Sequence, residues 1–194
     1  MDCSSATLLT LDCSSATLLT LELGKHGVTG EIVRVVDHAV KPGILADMGD
    51  GDAWPGIRER VHAADILVVA TPTWMGNMSS VRQRVLERLN AELSETDDEG
   101  RPGMFGKLAL AAVVVNEDGA HAITASLFQG LNDVGFTVPE QGGVYWNGEA
   151  MTTTDYKDLD ETPEAVASTL ATMAANAAHL AELLRERQYP PVSS

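Results

Sequence analysis

Apolar positions along the chain follow two alternating rhythms. Short runs that are apolar almost throughout occur at residues 31–36 (EIVRVV), 65–70 (DILVVA) and 108–115 (LALAAVVV). Such runs suit the strands of a parallel sheet covered on both faces. Between them apolar residues return every three or four positions, the period of a helix. Pro55 opens one such stretch (GIRERVHAA), and Ser80 with Gln83 makes a capping-box pattern ahead of VRQRVLERLNAEL. In the last stretch Val166, Leu170, Met173, Ala177, Leu180 and Leu184 form one stripe, opened by Thr162 and Pro163 and closed by Pro190 and Pro191. This alternation predicts an α/β, doubly wound sheet with right-handed crossovers.

The amino terminus writes one decapeptide twice: DCSSATLLTL fills residues 2–11 and again 12–21. The scheme needs a strand before the first helix, and residues 6–11 are the candidate. The second copy runs on toward Gly27 and predicts a helix over 16–26. The identical hexapeptide ATLLTL is thus strand once and helix once, decided by tertiary context. Residues 12–15 become the turn between the strand's carboxyl end and the helix's amino end, where backbone N–H groups and the helix dipole favour an anion. Ser14, Ser15 and Thr17 are candidate phosphate ligands there; Ser15 as a plain helix cap is the alternative. One domain is expected over 1–194, with surface excursions at 94–106 and 146–161 and a tail at 189–194. Loops as long as 146–161 are often functional.

Charge and composition narrow the classes. The 194 residues carry 13 basic and 28 acidic side chains, a net −15, which repels nucleic acid and anionic lipid. Two cysteines in a chain of this size imply no disulfide framework, and no apolar run approaches a membrane span; a cytoplasmic protein is the expectation. There is no G-x-S-x-G elbow, and the five histidines (His26, His38, His62, His121, His179) lack ligand spacing, so no metal site is expected. The acidic DMGDGD at 47–52 fails the EF-hand pattern and reads as a solvated loop.

Three stretches carry a resemblance. ATPTWMGNMSSVRQRVLERL (70–89) resembles the second cofactor loop of the flavodoxin-like NAD(P)H-dependent FMN reductases, VNEDGAH (115–121) their third, and GGVYWNGEA (142–150) the segment after their fifth strand. The resemblance implies a five-stranded parallel sheet in the order 2-1-3-4-5 with helices on both faces. It implies FMN as cofactor and NAD(P)H as co-substrate, with the phosphate at Ser14, Ser15 and Thr17. Pro72, Thr73, Trp74, Met75 and Gly76 would wall the flavin ring, and Asn116, Glu117, Asp118 and Gly119 would offer main-chain donors. His121 and Tyr145 complete the implied cofactor-binding set, and a homodimer sharing the pocket is implied with them. No protein residue needs to act as a catalyst, because the flavin carries the chemistry.

Two departures fall on that site. The first loop has shrunk to DCSSAT, and Val115 stands where the family usually has glycine, which alone takes positive φ freely. Three functions therefore stay open: an FMN-dependent oxidoreductase passing hydride to a quinone, free flavin or similar acceptor; an acidic flavodoxin-like electron carrier; and a binding protein on the same fold with weakened or lost FMN binding.

Overall fold

The computed structural model describes residues 4–10, 13–149, 152 and 154–191, with the backbone alone for 13–15. Six strands follow in chain order: β1 (Ser5–Thr10), β2 (Thr29–Arg34), β3 (Ile66–Trp74), the two-residue β4 (Asn77–Met78), β5 (Leu108–Val115) and β6 (Gly143–Asn147). Five of them form a parallel sheet in the order β2-β1-β3-β5-β6, and β4 pairs back on β3. With β4 set aside, this is the expected flavodoxin-like order 2-1-3-4-5.

Five helices cover the sheet: α1 (Cys13–Gly24), α2 (Trp54–Ala63), α3 (Ser80–Leu89), α4 (Ala120–Asp133) and α5 (Glu164–Glu186). Side chains alternate along the central strands, and the two faces bury separate cores. Ile66, Val68 and Ala70 of β3 pack with Ala16, Leu19 and Leu23 of α1 and with Leu170, Met173 and Ala177 of α5. Leu67 and Val69 pack with Ile57 of α2, Val85 and Leu89 of α3, and Ile123 and Leu127 of α4. Both faces of β3 and β5 are therefore dry, which is why those strands read as unbroken apolar runs.

The repeated hexapeptide does take two structures. Ala6, Leu8 and Leu9 are buried in β1 between β2 and β3, whereas Ala16 and Leu19 sit on the inner face of α1. The boundaries differ from the expected ones. α1 begins at Cys13, so residues 13–15 belong to the helix instead of the turn, and it ends at Gly24, after which Lys25 to Gly27 turn back toward β2. Leu11 and Asp12 lie outside the described residues. Ser79, one residue ahead of the expected box, caps α3 by accepting from Arg82 N at 3.2 Å. The expected tail is partly anchored: the Tyr189 ring packs on Phe105 at 5.3 Å and its hydroxyl pairs with Thr137 at 2.8 Å.

The acidic stretch before α2 is not simply solvated. The Asp52 carboxylate has no exposed surface; it accepts from the backbone N–H of Lys41, Met48 and Trp54 and pairs with the equally buried Arg88 at 2.7 Å. Arg88 also donates to the carbonyls of Lys41, Leu45 and Ala46 and lies over the Trp54 ring. One ion pair thus organises the connection from β2 to α2. Burial opposes ionisation of Asp52, but the three N–H donors and Arg88 outweigh it and hold its pKa at about 2. Because that lies below the ordinary 3.8, the pair stabilises the fold at and above about pH 4, and the contribution is lost as pH falls toward 2. Asp52→Asn is expected to destabilise the chain by about 3 kcal/mol at neutral pH, read as a lower denaturant midpoint at unchanged m.

Candidate functional site

The chain lays β2 on one side of β1 and then crosses to place β3 on the other. Strand order reverses there, and doubly wound sheets bind ligands at the carboxyl ends of such strands. The register shows where the crevice opens. β1 and β3 stay paired only to Leu9 and Val69, while β1 follows β2 to Thr10 and Arg34, and β3 follows β5 to Pro72 and Val114. Above this parting lies a cleft of about 610 Å³. Thr10 and Arg34 line it from β1 and β2, Ala70 to Trp74 from β3, Val114, Asn116 and Glu117 from the end of β5, and Asp155, Tyr156 and Lys157 from the later loop. A neighbouring cleft of about 410 Å³, reaching Thr17 and Leu18 of α1, shares Tyr156 and Lys157 with it.

The β3–β4 hairpin shapes one wall. Trp74 pairs with Asn77, leaving Met75 and Gly76 as a two-residue loop with φ of 54° and 74°. Two successive positive φ values are what a type I′ turn requires, and Met75 holds the first of them as a side chain 91% exposed to solvent. The hairpin is tied to the loop after β5. Gly76 N donates to Glu117 Oε1 at 3.1 Å. Gly119, at φ 133°, approaches so closely that a Cβ there would stand 2.9 Å from the Gly76 carbonyl oxygen.

Two hydroxyls of cleft residues are enclosed within the protein and do not open on the cleft. Thr73 Oγ1 and Tyr156 Oη are buried without a hydrogen-bond partner, although buried polar groups are nearly always paired. Tyr156 packs on Trp146 with ring centroids 5.4 Å apart. Asp155 accepts from Asn116 Nδ2 at 3.0 Å and pairs with Lys157 at 3.2 Å; the Lys157 ammonium, then the Asn116 amide, holds its carboxyl below the usual carboxylate range. A cleft walled by Pro72, Trp74 and Val114 and edged by Arg34, Lys157, Glu117 and Asp155 suits a flat group with polar edges.

Of the residues expected at the site, Pro72, Thr73, Trp74, Asn116 and Glu117 line the main cleft together. Thr17 lines the neighbouring one. Ser14 and Ser15 lie in the first turn of α1, and their side chains fall outside what is described. Met75 points to solvent, Gly76 and Gly119 form the hairpin contact, and the Asp118 carboxylate accepts from Gly119 N at 2.7 Å. His121 and Tyr145 meet edge to face at 4.9 Å, and neither lines the cleft. Val115 corrects an expectation: its branched side chain is buried in the core with Leu9 and Val113, φ is not positive, and Val114 is the residue that faces the cleft. Sequence reasoning missed Thr10, Arg34, Tyr156 and Lys157. The first two end adjacent strands, and the others belong to the long loop that its length had already singled out. Among the described residues no three His, Cys, Asp or Glu side chains gather as a metal site, and no helix is long and apolar enough to cross a membrane.

The cleft lies at the switch of a 2-1-3-4-5 sheet, the place where flavodoxin-like scaffolds bind nucleotide-type ligands. The model of the NADPH-dependent FMN reductase family matches residues 13–150, and the chain belongs to that family. It is 31% identical to the 8-demethyl-8-aminoriboflavin-5′-phosphate synthase of Streptomyces davaonensis, over 85% of this chain and 68% of that protein. It is 34% identical, over 83% of its length, to part of the divalent metal cation transporter MntH of Mycobacterium bovis, and spans only 25% of that protein. Among solved structures, RosB with bound 8-demethyl-8-formylriboflavin-5′-phosphate superposes at a TM-score of 0.82 with 30% identity, covering 96% of this chain and 82% of RosB. Family and fold together support an FMN-dependent oxidoreductase.

The interlock of hairpin and loop is testable by adding single methyl groups. Gly119→Ala is expected to destabilise the protein by about 2 kcal/mol or more, because both φ and the Gly76 carbonyl oppose a side chain. Gly56→Ala in α2, where a Cβ meets nothing within 4 Å, is expected to stabilise it by about 0.5–1 kcal/mol. Thermal unfolding of the two variants beside the parent checks both signs.

Proposed function

We propose that the chain takes FMN into the cleft above the β1–β3 parting and uses it to pass hydride from NAD(P)H to a small acceptor such as a quinone or free flavin. The observation that carries this reading is the cleft of about 610 Å³ above the parting of β1 and β3, at the carboxyl ends of the strands where their order reverses. Pro72, Trp74 and Val114 wall the flat ring, while the main chain at Asn116 and Glu117 meets its polar edge. Ser14, Ser15 and Thr17 at the amino end of α1 take the phosphate, where unpaired N–H groups and the helix dipole converge. The bound flavin supplies the hydride-accepting centre. Met75, Gly76, Asp118 and Gly119 set the hairpin's position, and His121 and Tyr145 extend the site's outer side.

A second copy of the chain belongs to this reading. Trp74, 57% exposed, and Met75 project from the hairpin, and Tyr145 is exposed on β6 beside His121. Burying such aromatic surface is a strong driving force for association. Light scattering is expected to give twice the 20.6 kDa chain mass, and Met75→Asp to shift it toward one.

The test of the flavin is optical. Purified protein incubated with FMN and desalted is expected to keep a perturbed flavin absorption band and to oxidise NADPH when a quinone is present. A colourless protein that shows no FMN binding on titration overturns the proposal. A second reading, flavin phosphate as exchangeable substrate, is favoured by the similarity to the aminoriboflavin-phosphate synthase. Flavin that binds at equilibrium but is lost on desalting is the result expected of it.

A further inference from the structure

The connection from β6 to α5 brings Asp155, Tyr156 and Lys157 to the cleft. Tyr156 and Lys157 also line the neighbouring cleft, so this short segment stands between the two. Tyr156–Asp158 form a single 3₁₀ turn capped by Asp155, whose side chain accepts from Asp158 N, while the Asp158 carboxylate accepts from Asp155 N at 3.2 Å. Among the described residues no backbone hydrogen bond joins 154–163 to a strand. Side chains make the ties instead, and they are of two kinds. The Tyr156 ring is buried against Trp146 in the same core as Val166 and Leu170. The Asp155 side chain, 52% exposed, accepts from Asn116 Nδ2 at 3.0 Å. The Asn116 amide is itself closely fitted: Gly148 N donates to Val115 O at 2.7 Å, and a Cβ on Gly148 would stand 2.8 Å from Asn116 Oδ1.

These two ties differ in what it takes to break them. Withdrawing a buried aromatic ring exposes a large apolar area, whereas an exposed hydrogen bond exchanges for one with water at little net cost. The segment is therefore fixed at Tyr156 and releasable at Asp155. We propose that residues 155–157 are a strap across the cleft, that the Asn116–Asp155 hydrogen bond is its latch, and that opening this latch sets how fast a bound flavin leaves. Lys157 moves with the strap, since it pairs with Asp155 at 3.2 Å. Asn116 is a positioning residue in this arrangement: its side-chain amide is committed to Asp155, which leaves its main chain to meet the ligand. The inference rests on the flavin reading above and adds the element that retains the flavin.

Association and release of FMN by the full chain are read by stopped-flow fluorescence, on mixing and on dilution. Asn116→Ala and Asp155→Ala are each expected to speed release about tenfold. Association is expected to stay within about twofold of the parent's. The double variant is expected to release no faster than either single one, because both remove the same bond. Asp155→Asn, which keeps the acceptor, is expected to release FMN near the parent's rate. Hydrogen exchange of the flavin-free protein reads the strap itself: Asn116→Ala is expected to raise exchange at 156–159 and to leave α5 unchanged. Release effects that add in the double variant, slower association in place of faster release, or unchanged exchange in Asn116→Ala overturn the latch while the flavin reading stands. A parent protein that binds no FMN on titration overturns the flavin reading and, with it, the strap's part in release, whatever the exchange shows.

Discussion

The pairing of β1 with β3 stops at Leu9 and Val69, and the outer pairings continue past it. That parting is a consequence of winding a single chain in both directions from a central strand. Once β2 has been laid on one side and β3 on the other, the connections leave the sheet toward opposite faces and must diverge. The Leu9 and Ala70 carbonyls are left at the fork, and Arg82 donates to both. The cleft opens above this parting.

Rigidity at the cleft comes from contacts between loops. The β3–β4 hairpin has only two residues of pairing, too little to stand alone. Its tip is held by the Glu117 carboxylate, which accepts from Gly76 N, and by the close approach of the Gly119 backbone. On the far side of α2 and α3 the Asp52–Arg88 pair does comparable work for the long connection after β2. In both places a polar side chain stabilises irregular backbone that no apolar packing could organise, since loop carbonyls and N–H groups require partners.

The strands and helices were legible because burial on two faces writes apolar runs and burial on one writes stripes. The resemblance of the 70–89 and 115–121 stretches located the loops around the cleft. Individual side chains were harder to place. Val115 and Val114 are indistinguishable in sequence, yet alternation along β5 sends one into the core and the other to the cleft. Asp52 sits in an acidic run that looks solvated, and only the distant Arg88 draws it inward. Tyr156 and Lys157 reach the cleft because their loop folds back across the sheet edge, a long-range contact with no local signature. Arg82 reads as one more polar position on an exposed helix until the fork beneath it is seen.

The duplicated decapeptide gives the fold an internal comparison. Thr7 and Thr17, Leu8 and Leu18, and Leu9 and Leu19 are the same residues in the same local sequence. Yet Thr7 is buried and donates to Arg60 O, while Thr17 is exposed on a helix. Any substitution made at matched positions is therefore a host–guest experiment with both hosts in one molecule, one a central strand and the other a surface helix. The difference between the two outcomes isolates what the surrounding fold adds to an identical stretch of chain.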